Sequence, residues 1–271
     1  MKSLKIAVLV KQVIDTYSAG GTTLNSDGTI NRDQLPAIIN PDDLNALGLA
    51  FKLRDMAGGG TVTVISMGPP RAVESIREAI WRGADKGLLL SDRKFAGSDT
   101  LATSYALSQA IRMIKADIVL CGSQSIDGDT GHVGPQTAQQ LGIPQVTYTE
   151  DIIKLSESDG CLSIQAIRLT DAGNEIVEVS DPVLFTVARS ASSCGPKNVR
   201  RMMEFKNKGV DCITAADLDA DIERLGLTGS PTRVVDSVKF TVEERNNSML
   251  TSSESDIESM FAALRKNNLI D

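Results

Sequence analysis

One histidine, His132, stands in a chain of 271 residues, and its isolation removes two kinds of chemistry. A metal site built on several imidazoles is excluded, and a histidine-based nucleophilic triad has only this residue to use, with no partner set around it. Cysteine is sparse as well. Cys121, Cys161, Cys194 and Cys212 are widely scattered without a C-x-x-C pair, so neither zinc ligation nor a disulfide framework is signalled. They are expected to be free buried thiols in a cytoplasmic protein. Positive charge is not in excess: 28 Lys+Arg against 35 Asp+Glu leave a formal charge of -7, which gives no general field to attract nucleic acid or anionic lipid. A long apolar run is missing too. The opening Met1 to Val10 is charged and then apolar, but it is too short to span a bilayer and no small-residue cleavage site follows, so no membrane insertion is expected. Three nucleotide signatures are also absent: G-x-x-x-x-G-K-[ST], a G-x-G-x-x-G opening a Rossmann unit, and the S-G-G-x-D-S loop of an ATP pyrophosphatase after the first strand.

What is present is an alternation of short β-branched runs with helical periodicity. The length suits one large domain or one and a half. Strands are expected at Lys5 to Val10, Thr61 to Ser66, Gly87 to Leu90, Asp117 to Cys121 and Gln145 to Tyr148. Helices are expected between them at Asp42 to Met56, Arg71 to Arg82 and Thr100 to Ile114, each with apolar residues near one face. Asn40-Pro41 fits a cap followed by proline at the first helical position, and Pro69-Pro70 opens the next helix. Thr22 to Ile30, around Asn25-Ser-Asp-Gly28, reads as a hairpin inserted after the first strand. The order implies an α/β fold with a doubly wound, mostly parallel sheet.

After about residue 150 the pattern changes. Ile152 to Leu155, Cys161 to Leu169 and Glu175 to Val179 are separated by the turn-prone Ser158-Asp-Gly160 and Asp171-Ala-Gly-Asn174, which predicts an antiparallel extension. Pro182 to Val187 is a further strand. Ala188 to Lys197 is serine-rich, and Asn198 to Lys208 is basic and Met-containing. The division expected is an α/β domain over 1–209, including the antiparallel extension, and a C-terminal arm over 210–271.

The densest chemical signal is Gly122 to Gln136, G-S-Q-S-I-D-G-D-T-G-H-V-G-P-Q, directly after the apolar run that ends at Cys121. A strand that ends in such a loop and restarts as a helix exposes free backbone N–H groups, where a phosphate can dock. Glycines alone serve geometry in many α/β proteins. Here Gly122, Gly128, Gly131 and Gly134 occur with Ser123, Ser125 and Thr130, and with the amides of Gln124 and Gln136, which makes a ligand loop the stronger reading. Asp127 and Asp129 would repel phosphate and are better employed accepting bonds from backbone N–H groups or ribose hydroxyls. A calcium loop is disfavoured because the sixth-position glycine and terminal glutamate of an EF-hand are missing. His132, at the start of the following helix, reads either as a neutral hydrogen-bonding wall of a pocket or as a surface histidine. At a topological switch point, Leu9 to Lys11, Asn40 to Asp43 and Ser66-Met-Gly68 would join the same crevice.

Taken together, Val8-Leu-Val-Lys-Gln-Val-Ile-Asp15, Asn40-Pro-Asp-Asp43, Ser66-Met-Gly-Pro69, Gly83-Ala-Asp85 and the Gly122 loop resemble the beta subunit of electron-transfer flavoproteins, over about residues 4 to 235. Gly229-Ser-Pro-Thr-Arg-Val-Val235 is similar to that family's C-terminal arm, which wraps the alpha subunit. The resemblance implies an adenine-nucleotide-binding domain paired with a flavin-carrying alpha subunit. By position, Leu9, Asn40, Pro41, Asp42, Asp43 and Met67 would line the site. So would Gly122, Gln124, and the loop Ser125, Ile126, Asp127, Gly128, Asp129, Thr130, Gly131, His132, Val133, Gly134, Pro135 and Gln136. No side chain need act as acid or nucleophile.

The family has two versions of this subunit, one holding a structural AMP and the other a second FAD that takes electrons from NADH and splits them between two acceptors. The AMP-type loop resembles D-D-D-C-N-Q-T-G and the flavin type D-G-D-T-x-Q-V-G-P. Asp127-Gly-Asp-Thr-Gly-His-Val-Gly-Pro135 is closer to the flavin type, with His132 where that type has glutamine. Ala166 stands where the family tends to have arginine, and Ser190 to Lys197 has its own sequence in the partner-recognition region. The function expected is therefore an electron carrier that binds FAD, oxidises NADH and bifurcates electrons to an acyl-CoA dehydrogenase-type enzyme and a low-potential acceptor such as ferredoxin. The alternatives are a non-bifurcating beta subunit with AMP and a stand-alone adenine-nucleotide sensor.

Overall fold

Leu4, Ile6 and Val8 of the first strand are buried in one apolar cluster, while Ala7 and Leu9 are buried in another. Successive side chains of a strand point to opposite faces, so this strand needs cover on both sides. The computed structural model describes residues 3–15, 36–206, 209–232 and 249–270. The hairpin expected at Thr22 to Ile30 and the last residues of Gly229 to Val235 lie outside the described residues.

The strands are β1 (Leu4–Leu9), β2 (Gln12–Ile14), β3 (Ala37–Ile39), β4 (Gly60–Met67), β5 (Lys86–Leu90), β6 (Ile118–Gly122), β7 (Gln145–Ser158), β8 (Cys161–Thr170), β9 (Gly173–Ser180), β10 (Val183–Val187) and β11 (Val210–Ile213). The helices are α1 (Pro41–Met56), α2 (Val73–Arg82), α3 (Thr100–Ile114), α4 (Val133–Leu141), α5 (Val199–Glu204) and α6 (Glu254–Lys266). A nine-stranded sheet runs in the order β11-β5-β4-β1-β6-β10-β7-β8-β9, and β2 pairs with β3 in a small antiparallel ribbon. Pairing is parallel from β11 to β7 and antiparallel across β7, β8 and β9. The mostly parallel α/β sheet with an antiparallel extension is the architecture expected from the sequence.

Leu47 and Leu53 of α1 and Ile76 and Ile80 of α2 pack with Ile6, Val62, Ile118 and Phe185 on one face. Leu107 and Ile111 of α3 and Ala138 of α4 pack with Ile65, Leu90, Val119 and Leu184 on the other. Each buried Leu, Ile or Phe contributes about 1.5–3 kcal/mol relative to exposure, so these two layers carry the sheet.

Three features differ from the sequence reading. Gln145 to Tyr148 and Ile152 to Leu155 are parts of one strand, β7, whose pairing with β8 shifts register between Thr149 and Asp151 and again between Ile152 and Lys154. Tyr148 takes a φ of 52° at the junction where β7 leaves its parallel partner β10 for the antiparallel β8. Bulges of this kind bend a strand and break the period that marks it in sequence. Second, all four cysteines are free, but only Cys121 is buried; Cys161, beside the β7–β8 turn, and Cys212, on the sheet's edge strand, are exposed. Third, β11 pairs with β5, and Ala215, Leu218 and Leu225 after it are buried against the α3 side of the sheet.

The chain divides into two compact units, Met1–Arg233 and Val234–Asp271. In the first, α5 is capped by the Asn198 side chain, and Arg201 donates to the carbonyl oxygens of Ile80 (2.8 Å) and Ala84. In the second, α6 is capped by Ser253, and none of its residues is buried; Ile257 and Phe261 are exposed. No helix among the described residues is long and apolar enough to cross a membrane.

Candidate functional site: a cleft at the switch point of the sheet

Chain order reverses beside β1. The chain passes from β1 to β4 and β5 on one side, then returns to β6 on the other. Open α/β sheets place ligands at such a point, outside the carboxyl ends of the strands.

Backbone and carboxylate groups lock the three segments that meet there. The Val10 N–H donates to Ile65 O (2.9 Å), and the Asn40 N–H donates to Lys11 O (2.9 Å). Asp43, in the first turn of α1, accepts the Lys11 N–H through Oδ2 (2.8 Å) and the Gly122 N–H through Oδ1 (3.0 Å). Burial pushes the Asp43 carboxyl up to about 7, against the opposing pull of the Lys11, Asn40 and Gly122 hydrogen bonds. Asp42 accepts the Ser123 hydroxyl at 2.7 Å. Gly122 is required by this contact, since a Cβ there would lie 2.6 Å from both Asp42 Cβ and Asp43 Oδ1.

Asn40 precedes α1 as its cap residue, with Pro41 at the first helical position, but its side chain does not cap the helix. It reaches the loop instead: Nδ2 donates to Gln124 O (2.8 Å) and Oδ1 accepts the Ile126 N–H (3.2 Å). The loop then turns, with the Asp129 N–H donating to Ser125 O (2.9 Å) and Asp129 at a φ of 47°. Asp127 accepts Lys11 Nζ at 2.7 Å, and Ser125 Oγ lies 3.3 Å from the same nitrogen. Burial raises the Asp127 carboxyl, yet the Lys11 and Ser125 hydrogen bonds and the Lys11 charge outweigh it and hold the group below its usual value. His132 is the cap residue of α4 without a side-chain cap bond, and Gly134 lets that helix start close to the sheet: a Cβ there would lie 2.7 Å from Cys121 Sγ.

These segments surround a cleft of about 410 Å³. From the first strands and α1 it takes Leu9, Asn40, Asp43 and Met67; from β6 and the loop, Gly122, Gln124, Ser125, Gly128 and Thr130; from the start of α4, Gly131 to Gly134. Nine expected residues lie outside the lining, among them Ser66 and Gly68, which flank Met67 at the end of β4. Asp42, Ile126 and Asp127 act behind it through Ser123, Asn40 and Lys11, while Pro41, Asp129, Pro135 and Gln136 belong to helix starts or the turn. Gln136 Oε1 is buried and has no hydrogen-bond partner among the described residues.

One wall was not anticipated. Ser98 and Asp99, just before α3, and Thr100, Thr103 and Leu107 of α3 also line the cleft. Asp99 accepts the Leu101 and Ala102 N–H groups (3.0 Å each) and the Thr232 hydroxyl (2.8 Å). The D-T-L-A start of a helix is the sequence signal for such a cap, though not for its place in the cleft wall. Cys121 also lines the cleft, but burial raises its thiol far from ionisation, so it offers no nucleophile.

The electron transfer flavoprotein domain matches residues 27–218. The chain belongs to the electron transfer flavoprotein family. It is 47% identical over 233 residues to the electron transfer flavoprotein subunit beta of Thermoanaerobacterium thermosaccharolyticum, covering 86% of each chain. It is 41% identical over 248 residues to the acryloyl-CoA reductase electron transfer subunit gamma of Anaerotignum propionicum (86% of this chain, 88% of the other). It is 40% identical over 232 residues to the caffeyl-CoA reductase-Etf complex subunit CarD of Acetobacterium woodii (85% and 86%).

In this electron transfer flavoprotein chain the lining has the chemistry a nucleotide needs. Leu9, Ile65, Met67 and Leu107 form an apolar wall for a ring, and Ser123, Ser125 and Thr130 supply hydroxyls at the loop. The first-turn N–H groups of α4 and the Lys11 ammonium supply positive potential. A Cβ at Gly128 would meet only Ser125 Oγ (3.6 Å) and Lys11 Nζ (4.0 Å), so internal packing does not require glycine there and its bareness leaves space.

Proposed function

We propose that the chain is the beta subunit of a heterodimeric electron-transfer flavoprotein, pairing with a flavin-carrying alpha subunit and holding FAD in the cleft. A flavin bound there would accept electrons from NADH and pass them singly to two acceptors, an acyl-CoA dehydrogenase-type enzyme and a low-potential carrier such as ferredoxin. The chain's own part is binding and orientation: the apolar wall takes a ring, the loop hydroxyls and helix-start N–H groups take polar groups, and Asp43 and Asn40 hold both sides of the cleft in place. The supporting observation is Asp127-Gly-Asp-Thr130 at the cleft edge, where Gly128 leaves open space beside Lys11. The names of two relatives, an acryloyl-CoA reductase electron transfer subunit and a subunit of a caffeyl-CoA reductase complex, favour a partner that works on CoA thioesters.

A second reading keeps the heterodimer and places AMP in the cleft. The volume of about 410 Å³ favours it, since that lies low in the roughly 300–1,000 Å³ range of small-molecule sites and suits a mononucleotide. Anaerobic titration of the co-purified pair with NADH separates the two. Bleaching of flavin by NADH alone supports FAD in this cleft; a pair that bleaches only with a dehydrogenase and its substrate supports AMP.

A further inference from the structure

Lys11 is the one lysine or arginine among the described residues that line the cleft. Its backbone is fixed on both sides, by Asp43 on its N–H and by Asn40 on its carbonyl, while its side chain is half exposed at the rim. The ammonium is occupied by Asp127 at 2.7 Å and, more loosely, by Ser125 at 3.3 Å. An ion pair this exposed is weakly held, because water screens it and both side chains lose freedom in making it. A ligand phosphate carries more charge than one carboxylate and accepts through several oxygens, so it competes well for the same ammonium.

We propose that Lys11 reads the phosphate count of the bound nucleotide, exchanging Asp127 for the second phosphate of a diphosphate, and that Gly128 keeps it available for that exchange. The proposal rests on the nucleotide reading above and adds to it a residue that selects diphosphates over monophosphates. Gly128 enters through distance. A Cβ at that position would stand 4.0 Å from Lys11 Nζ, so an acidic side chain there would bring a second carboxylate within reach of the ammonium. Asp127 enters with the opposite sign: it competes with the ligand for Lys11, and its charge opposes an incoming phosphate. The other acidic residues facing the cleft are committed elsewhere, Asp43 to two backbone N–H groups and Asp99 to the start of α3 and Thr232.

The test compares AMP with ADP, which differ by one phosphate, by calorimetric titration of the nucleotide-stripped heterodimer. Lys11→Gln should weaken ADP about tenfold or more, the loss of one charge-assisted contact, and leave AMP within about threefold. Lys11→Arg should retain the ADP preference. Asp127→Asn should tighten ADP, whereas a merely structural role in holding the loop would weaken both nucleotides. Gly128→Asp should reduce the ADP-to-AMP affinity ratio toward that of Lys11→Gln. Equal losses of AMP and ADP in Lys11→Gln, or weaker ADP binding in Asp127→Asn, overturn the proposal while leaving a nucleotide site in place. A native complex that binds neither nucleotide overturns the nucleotide reading itself.

Discussion

Asp43 accepts the backbone N–H of Gly122 at 3.0 Å, which ties the first turn of α1 to the last residue of β6 across 79 positions of chain. The same carboxylate takes the Lys11 N–H at 2.8 Å, so one buried side chain satisfies two strand ends. Asp43→Asn keeps a single acceptor oxygen and turns an amide donor toward the other N–H. The expected cost is about 1–3 kcal/mol in urea unfolding, the penalty of a buried polar group left unpaired. Nucleotide affinity should fall with it, measured on the same preparation.

Asp43 also sets a pH dependence with a definite sign. Its folded value of about 7 lies above the ordinary aspartate value of 3.8, so between those values the folded chain holds a proton that the unfolded chain has lost. Its contribution is present in full below pH 3.8 and is lost as pH rises through 7, at a limit of about 1.4 kcal/mol per pH unit. Asp127 and Asp99 are held below their usual values, and their contributions are lost only at more acid pH. The stability of the native chain minus that of Asp43→Asn should therefore decrease between pH 5 and 7 by roughly 2–3 kcal/mol. A difference that stays flat over this interval contradicts burial of Asp43.

Gly122→Ala tests the close approach directly. The added Cβ would meet Asp42 Cβ and Asp43 Oδ1 at 2.6 Å, with helix backbone just behind. Destabilisation of about 1–3 kcal/mol is expected, as for overpacked sites. Gly128→Ala is the matched comparison: its Cβ meets nothing closer than 3.6 Å, and stability should change by less than about 0.5 kcal/mol.

Asn40→Ala should loosen the loop without unfolding the sheet. It removes the bonds to Gln124 O and the Ile126 N–H, while Pro41 still starts α1 and no side-chain cap is lost. Hydrogen exchange should speed up over residues 124 to 129 and stay unchanged in β1 and β4. Equal acceleration in all three would assign Asn40 to the core instead.

The parallel strands and the helices between them were legible because burial on both faces leaves apolar runs in sequence, as at Leu4 to Leu9 and Ile118 to Cys121. In sequence β7 shows as two strands because its bulges interrupt the two-residue period. β11 leaves no strand signal in sequence because its four residues of mixed exposure gain their strand character by pairing with β5, some 120 positions earlier. The site divides in the same way. Asn40, Asp43, Gly122 and Gly134 sit in local motifs, whereas the α3 wall at Ser98 to Leu107 reaches the cleft through tertiary packing. Asp127 was expected to meet backbone N–H groups or ribose hydroxyls; its bond to Lys11 joins residues 116 positions apart, which periodicity does not reveal.

The proposal that this cleft holds flavin meets its sharpest test in the nucleotide released from the co-purified heterodimer on acid denaturation, resolved and quantified by chromatography. Flavin in this cleft gives two FAD per pair and no AMP. One FAD with one AMP per pair would contradict it, and would make the chain a nucleotide-stabilised scaffold for redox chemistry on its partner.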